Sequence, residues 1–144
     1  MGLEHAQDIP NGMIIVGHGI DVVEVDRIAS MLEDHGQRFL DRVFTPREQA
    51  YAEQGQKRRG ERYAVRFAAK EAALKAIGTG WRDGIAWTDI EVVSLPSGQP
   101  TLEVTGKAGE IAAVAGIDRW LISMSHIGPM GFASVLGGRL ARID

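Results

Sequence analysis

A chain of 144 residues with 44% apolar and 24% charged side chains is long enough for one real core and too short for two comfortable domains. It has no cysteine, which excludes disulfides, thiolate catalysis and cysteine-based zinc sites, and its net charge of -3 is too small to imply a partner. No apolar run nears the ~18 residues of a membrane span, and "MGLEHAQDIPNG" has neither a basic flank nor an apolar h-region, so a cytoplasmic protein is expected.

Residues 1–12 are polar with a Pro-Asn-Gly turn signal and read as a flexible extension before a single domain over 13–144. "MIIVGHGIDVV" is apolar and β-branched enough for a buried strand, with Asp21 expected on the same face as Ile15, Gly17 and Gly19. "EVDRIASMLEDHG" follows with helical spacing through Val25, Ile28, Ala29 and Leu32 and a stop at Gly36. "TPREQAYAEQG" begins a short helix with Thr45 as N-cap, Pro46 at the first helical position and Glu48 completing a capping box. A long helix is predicted from about Glu61 to Ile77, ended by Gly78. Beyond it, "TDIEVVSL" and "PTLEVTG" flank a turn, "GKAGEIAAVAG" is helical, and "WLISMSH" pairs with "GFASVLGG" around "IGPM". Strands outnumber crossovers, which predicts an α+β domain: a mostly antiparallel sheet with a long helix packed against it.

The long helix carries charge where a core helix should not. At about 100° per residue, with Tyr63 at zero, Phe67, Leu74 and Ile77 fall within about 40°; Lys70 lies in that stripe and Glu71 at its edge, roughly 80° round. Charges so placed need a partner, a hydrated cleft or an ion. Glu71 reads either as an i,i+4 salt bridge to Lys75 or, with a second carboxylate nearby, as half of a magnesium site completed by phosphates. Asp21 reads either as the cap of the following helix or as that carboxylate, with the room left by two glycines beside it. "KAIGTG" follows a helix instead of opening one, so by itself it is a weak phosphate loop. His126 is at a strand end, His18 sits between glycines, and the four histidines lack metal-ligand spacing. "KRRGERYAVR" at 57–66 packs five basic residues into ten positions and reads as a solvated face, without the interleaved aromatics of a nucleic-acid surface.

"GHGIDVVEVDRI", then "RFAAKEAALKAIGTG", then "ISMSH" with "ASV" resemble, in this order over residues 13–137, the holo-acyl-carrier-protein synthases of the 4'-phosphopantetheinyl transferase superfamily. Two departures are the extension at 1–12 and the glycine- and proline-rich "IGPMGF". The resemblance implies transfer of the phosphopantetheine arm of coenzyme A to a serine of an apo acyl carrier protein, in fatty acid biosynthesis. It implies Asp21 and Glu71 as ligands of Mg2+, with a carboxylate taking the serine proton through a metal-held water. It places Lys75 on the phosphates, Lys70 at the leaving group or in the local field, and Arg66 on the 3'-phosphate. Gly78, Thr79 and Gly80 lie along the nucleotide, with His126 close by. Carrier proteins are acidic, so Arg27, with Arg42 and Arg47, would dock them; a homotrimer with coenzyme sites between subunits is also implied. Two rival readings are a non-catalytic carrier-binding module, disfavoured by the intact Asp21, Glu71 and Lys75 set, and a basic-faced nucleic-acid binder resting only on "KRRGER".

Overall fold

The computed structural model describes residues 12–82 and 84–141, so the reading of a flexible extension at 1–12 falls, but for Gly12, outside the described residues. Among the described residues the order is β1 (Met13–Glu24), α1 (Val25–His35), α2 (Gln37–Val43), α3 (Pro46–Glu53), α4 (Arg59–Ala76), β2 (Ile90–Ser94), β3 (Pro100–Val104), α5 (Gly106–Ala115), β4 (Arg119–Ile127) and β5 (Met130–Leu140). Two antiparallel sheets result, one ordered β1-β5-β4 and the other the β2-β3 hairpin. The α+β architecture is the one the sequence predicts.

Helix α4 lies across one face of the larger sheet, and glycine decides how closely. A Cβ on Gly17 would stand 1.8 Å from the carbonyl oxygen of Ala76, and one on Gly19 1.8 Å from that of Ala72. Backbone therefore meets backbone, a contact open only to residues without a side chain. On the helix side the meeting residues are alanines: Ala68, Ala72 and Ala76 are buried. The stripe set by Tyr63, Phe67 and Leu74 packs into the core, where the Tyr63 ring centroid is 4.8 Å from that of Phe44 and its hydroxyl donates to Glu53 at 2.6 Å.

Three local expectations need correction. The strand pairing slips between Ile15 and Gly17, and this bulge turns Ile15 away from the face shared by Gly17, Gly19 and Asp21. A helix the sequence reading passed over, α2, follows Gly36 and buries Phe39, Leu40 and Val43. The long helix begins at Arg59. The capping box at Thr45 and Glu48 forms as read, and Gly78 ends α4 with φ +83°.

The glycine seat predicts an asymmetric pair of variants. Gly19→Ala should lose roughly 3 kcal/mol from the clash, whereas Gly60→Ala, inside α4 with only a Val25 methyl at 3.7 Å, should gain up to about 1 kcal/mol. Urea unfolding midpoints at unchanged slope measure both; comparable effects for the two would contradict the seat.

Candidate active site

Strand β1 runs on past Asp21 to Glu24, which is the N-cap of α1, so Asp21 is not the cap of that helix. It pairs across the ladder with Ala133 and faces α4 alongside Gly17 and Gly19. Lys75 comes from the last turn of α4, its Nζ 3.1 Å from Asp21 Oδ1 and donating to the Ile20 carbonyl at 2.9 Å. The lysine thus bridges to the strand, where an i,i+4 pairing with Glu71 was the alternative. Glu71, one turn earlier, has its carboxyl pushed above the usual range, first by burial and then by the Asp21 charge, against the pull of Arg27 and Lys75. Two carboxylates and a lysine converge beside the glycine seat; the room that the sequence suggested next to Asp21 is taken by the backbone of α4, and the missing side chains serve instead to bring Glu71 and Lys75 up to the strand.

That donor set suits a hard divalent cation. Mg2+ is commonly held by one or two carboxylates with water and substrate phosphate completing the shell. Asp21 Oδ2 is buried and accepts no hydrogen bond from an amide, hydroxyl or cationic group, and the proton Asp21 can share is that of the Glu71 carboxyl, whose place a cation between the two acids would take. Among the described residues no cluster of three or more His, Cys, Asp or Glu forms a metal site, so the protein's own contribution here is limited to the two carboxylates.

Lys70 is not in this cluster, although it precedes Glu71. Its side chain is fully buried on another face of α4, 2.8 Å from an equally buried Glu48 carboxylate. Burial pushes the ammonium's pKa down and Glu48 pulls it back. The role at the leaving group is therefore corrected: a group sealed in the core cannot reach a bound ligand. Glu48 was legible only as a helix cap, and the signal that it did more was the unpaired lysine on the apolar stripe.

Arg66 and His126 meet in a second place, a cleft of about 340 Å³ lined also by Arg58, Arg62, Ser94 and Ser125. Arg66 is 5% exposed, its guanidinium 4.2 Å from the Tyr51 ring centroid, and its Nε is buried without a partner. Arg62 covers the same ring at 4.3 Å, and His126 lies 3.2 Å from Glu61. Of the run "KRRGER", read as a solvated face, Lys57 and Arg58 are exposed as expected, Arg59 pairs with Glu53, and Arg58 and Arg62 also line this cleft. The run's isolated charge gave no sign of this, because the partners come from α3, the β2-β3 hairpin and β4.

Gly78 and Gly80 have positive φ and open space at the Cβ position, while the amides of Thr79 and Gly80 both donate to the Leu74 carbonyl, at 3.1 and 3.3 Å. Thr79 Oγ1 is buried without a partner. Arg27 is exposed on the first turn of α1, 5.9 Å from the Phe67 ring centroid and close enough to pull on Glu71. Arg42 is exposed, and Arg47, also exposed, already pairs with Glu91 and Glu103 at 2.6 and 2.8 Å, so an acidic partner would have to compete with those carboxylates there.

Paired acids beside a lysine, with a separate basic cleft, have the chemistry of a site suited to a phosphate-bearing ligand. Residues 17–125 match the family model of the 4'-phosphopantetheinyl transferase superfamily, and the chain belongs to that superfamily. It is 47% identical over 123 residues to a holo-[acyl-carrier-protein] synthase of Solibacter usitatus, an alignment covering 85% of this chain and 98% of the relative. The fold resembles the holo-[acyl-carrier-protein] synthase of Neisseria meningitidis with TM-score 0.76 at 34% identity, covering 86% of this chain and 98% of that one. It also resembles a Bacillus anthracis holo-(acyl-carrier-protein) synthase solved in complex with CoA (3',5'-ADP), with TM-score 0.70 at 35% identity, covering 89% and 99%.

The raised Glu71 pKa fixes the sign of a stability effect. Folding binds the Glu71 proton more tightly than the unfolded chain does, so its ionised form opposes folding above the raised value and the penalty lifts below it. In metal-free buffer Glu71→Gln should unfold at a higher temperature than the parent at pH 8, with the gain shrinking on acidification. A lower unfolding temperature at pH 8 would contradict this electrostatic account.

Proposed function

We propose that this chain is a holo-acyl-carrier-protein synthase: it transfers the 4'-phosphopantetheine group of coenzyme A to a serine of an apo acyl carrier protein and releases adenosine 3',5'-bisphosphate. One observation carries the reading. Among the described residues, the buried side-chain polar atoms left without a hydrogen bond, the shared Glu71 proton apart, belong to Asp21, Arg66 and Thr79. All three are positions that the resemblance assigns to metal or coenzyme, and unsatisfied buried groups are rare unless a ligand completes them.

In this reading Asp21 and Glu71 hold Mg2+, which when bound supplies charge neutralisation on the pyrophosphate. Lys75, half-exposed and already aimed at Asp21, orients the transferred phosphoryl group by a charge-assisted contact. The serine oxygen forms a bond to the phosphorus carrying pantetheine, the bond from that phosphorus to the bridging oxygen breaks, and the bisphosphate leaves with the electron pair. The acidic pair takes up the serine proton. Arg66, with His126 beside it, holds the 3'-phosphate, and the open glycines at 78 and 80 let the nucleotide approach the chain. Arg27 stands at the rim next to Phe67, where it meets an acidic carrier helix. The protein acts in the cytoplasm, in fatty acid biosynthesis.

Two features support association with sites shared between copies, and the number three comes from the resemblance. Arg66 and Glu71 are five residues apart on α4, hence about 140° apart around it, so a ligand touching both within one chain would have to wrap the helix. A neighbouring copy could supply one side. The face of the larger sheet turned away from α4 also leaves Ile20 58% and Val22 47% exposed, an apolar surface that association would cover.

Intact-mass analysis of an apo carrier protein incubated with this chain, coenzyme A and Mg2+ should show the gain of one phosphopantetheine. Asp21→Ala, still folded, should reduce the rate by at least about a hundredfold, the scale for losing an electrostatic contact to a transition state. No mass gain with the parent chain would overturn the proposal. Light scattering over a dilution series should give about three times the 15.6 kDa chain mass; a fully active monomer would remove the shared site.

A further inference from the structure

Helix α4 is smooth where it touches the sheet. Ala64, Ala68, Ala72 and Ala76 recur every fourth residue and are all buried, as are Ala69 and Ala73 beside them. Helices resist turning about their own axes when side-chain ridges lock into grooves. A row of methyl groups against glycine gives little such resistance, and apolar burial has no direction of its own. Yet the acidic site needs α4 at one rotation, because Glu71 reaches Asp21 only from there.

On the side away from β1 two polar groups of the buried stripe make directional bonds: Tyr63 donates to Glu53 at 2.6 Å near the start of the helix, and two turns later Lys70 holds the half that carries Glu71. Lys70 Nζ is 2.8 Å from Glu48 Oε1, donates to the Trp87 carbonyl at 3.2 Å and donates also to the Ile90 carbonyl. Glu48 in turn accepts from the Thr45 amide through Oε1 at 2.9 Å and from the Val92 amide through Oε2 at 2.9 Å. The three hydrogens of the ammonium and both carboxylate oxygens are thus engaged. The network ties α4 to the start of α3 and to the first residues of β2.

We propose that the buried Glu48–Lys70 pair is a positioning device for the acidic site: it fixes the rotation of α4, so that Glu71, the next residue, is presented to Asp21. The inference rests on the reading of Asp21 and Glu71 as the metal-holding pair. The lever is short and sensitive. A carboxylate about 6 Å from the helix axis moves about 1 Å for a 10° turn, and a misplacement of 1 Å costs on the order of a hundredfold in rate. Lys70 itself, fully buried, touches no ligand and acts through its neighbour.

The test replaces the pair by neutral side chains of similar length, Glu48→Gln with Lys70→Met, an exchange that buried ion pairs often tolerate without loss of stability. Glu48→Gln alone keeps an acceptor for the Thr45 and Val92 amides and serves if the double variant does not fold. Ile117→Ala, a buried deletion that stands against Gly137 of β5 and not against the Glu48–Lys70 network, controls for destabilisation. Two readouts are taken well below the unfolding transitions: Mn2+ affinity of the protein by itself, followed by electron paramagnetic resonance, and the orientation of α4 against β1 in crystal structures of the variants. Mn2+ binding should weaken about tenfold or more in the pair variant, with a visible turn of α4, while Ile117→Ala binds as the parent does. A folded pair variant with the parent's Mn2+ affinity and an unturned helix would overturn the positioning role. A parent chain that takes up no Mn2+ would instead sink the metal reading, and helix orientation alone would then decide.

Discussion

The contact on which the rest depends is the backbone-to-backbone approach of α4 to β1. With Gly17 and Gly19 under Ala76 and Ala72, the helix comes closer to the strand than side chains would permit. This closeness brings the last turns of α4 level with the middle of β1. There Glu71 and Lys75 meet Asp21, which faces the helix from two residues beyond Gly19. One larger residue at either glycine would push the helix outward and part the two halves of the site.

Two lysines on the same helix show how position alone divides labour. Lys70 has traded all its hydration for a carboxylate, two carbonyls and the face of the Phe44 ring at 5.6 Å, an arrangement that survives burial because each hydrogen is used. Lys75, five residues on, is half-exposed beside an aspartate whose second oxygen accepts no hydrogen bond from an amide, hydroxyl or cationic group. The first lysine closes a network and the second leaves one open. Open networks at charged groups are where a ligand can add bonds without first breaking the protein's own.

The same contrast separates the arginines. Arg47 reaches Glu91 and Glu103 and tethers α3 to the β2-β3 hairpin. Arg66 lies against Tyr51 with an unsatisfied nitrogen, beside Arg62 on the other contact to that ring. The first already has its carboxylates, and the second keeps capacity for an anion.

Helical spacing, the Thr45 capping box, the Gly78 stop and the two hairpins are local patterns, and local patterns are written in order along the chain; these the sequence by itself determined, together with the motifs that resemble one superfamily. It also determined that Lys70 and Glu71 had to be compensated, since both fall toward the core side of α4 whatever surrounds them. Which partner compensates which residue was decided only in three dimensions. Glu48 lies 22 positions before Lys70, and its capping box was already a sufficient local reason for it, so nothing in the spacing pointed from one to the other. The bulge at Val16 likewise reversed the facing of Ile15, because strand parity depends on a register that only the pairing with β5 sets. The basic cleft around Arg66 gathers α3, α4, the β2-β3 hairpin and β4. Charge along a sequence does not say which side chains will share a low-dielectric space, and it is that sharing that turns part of a basic run into a site.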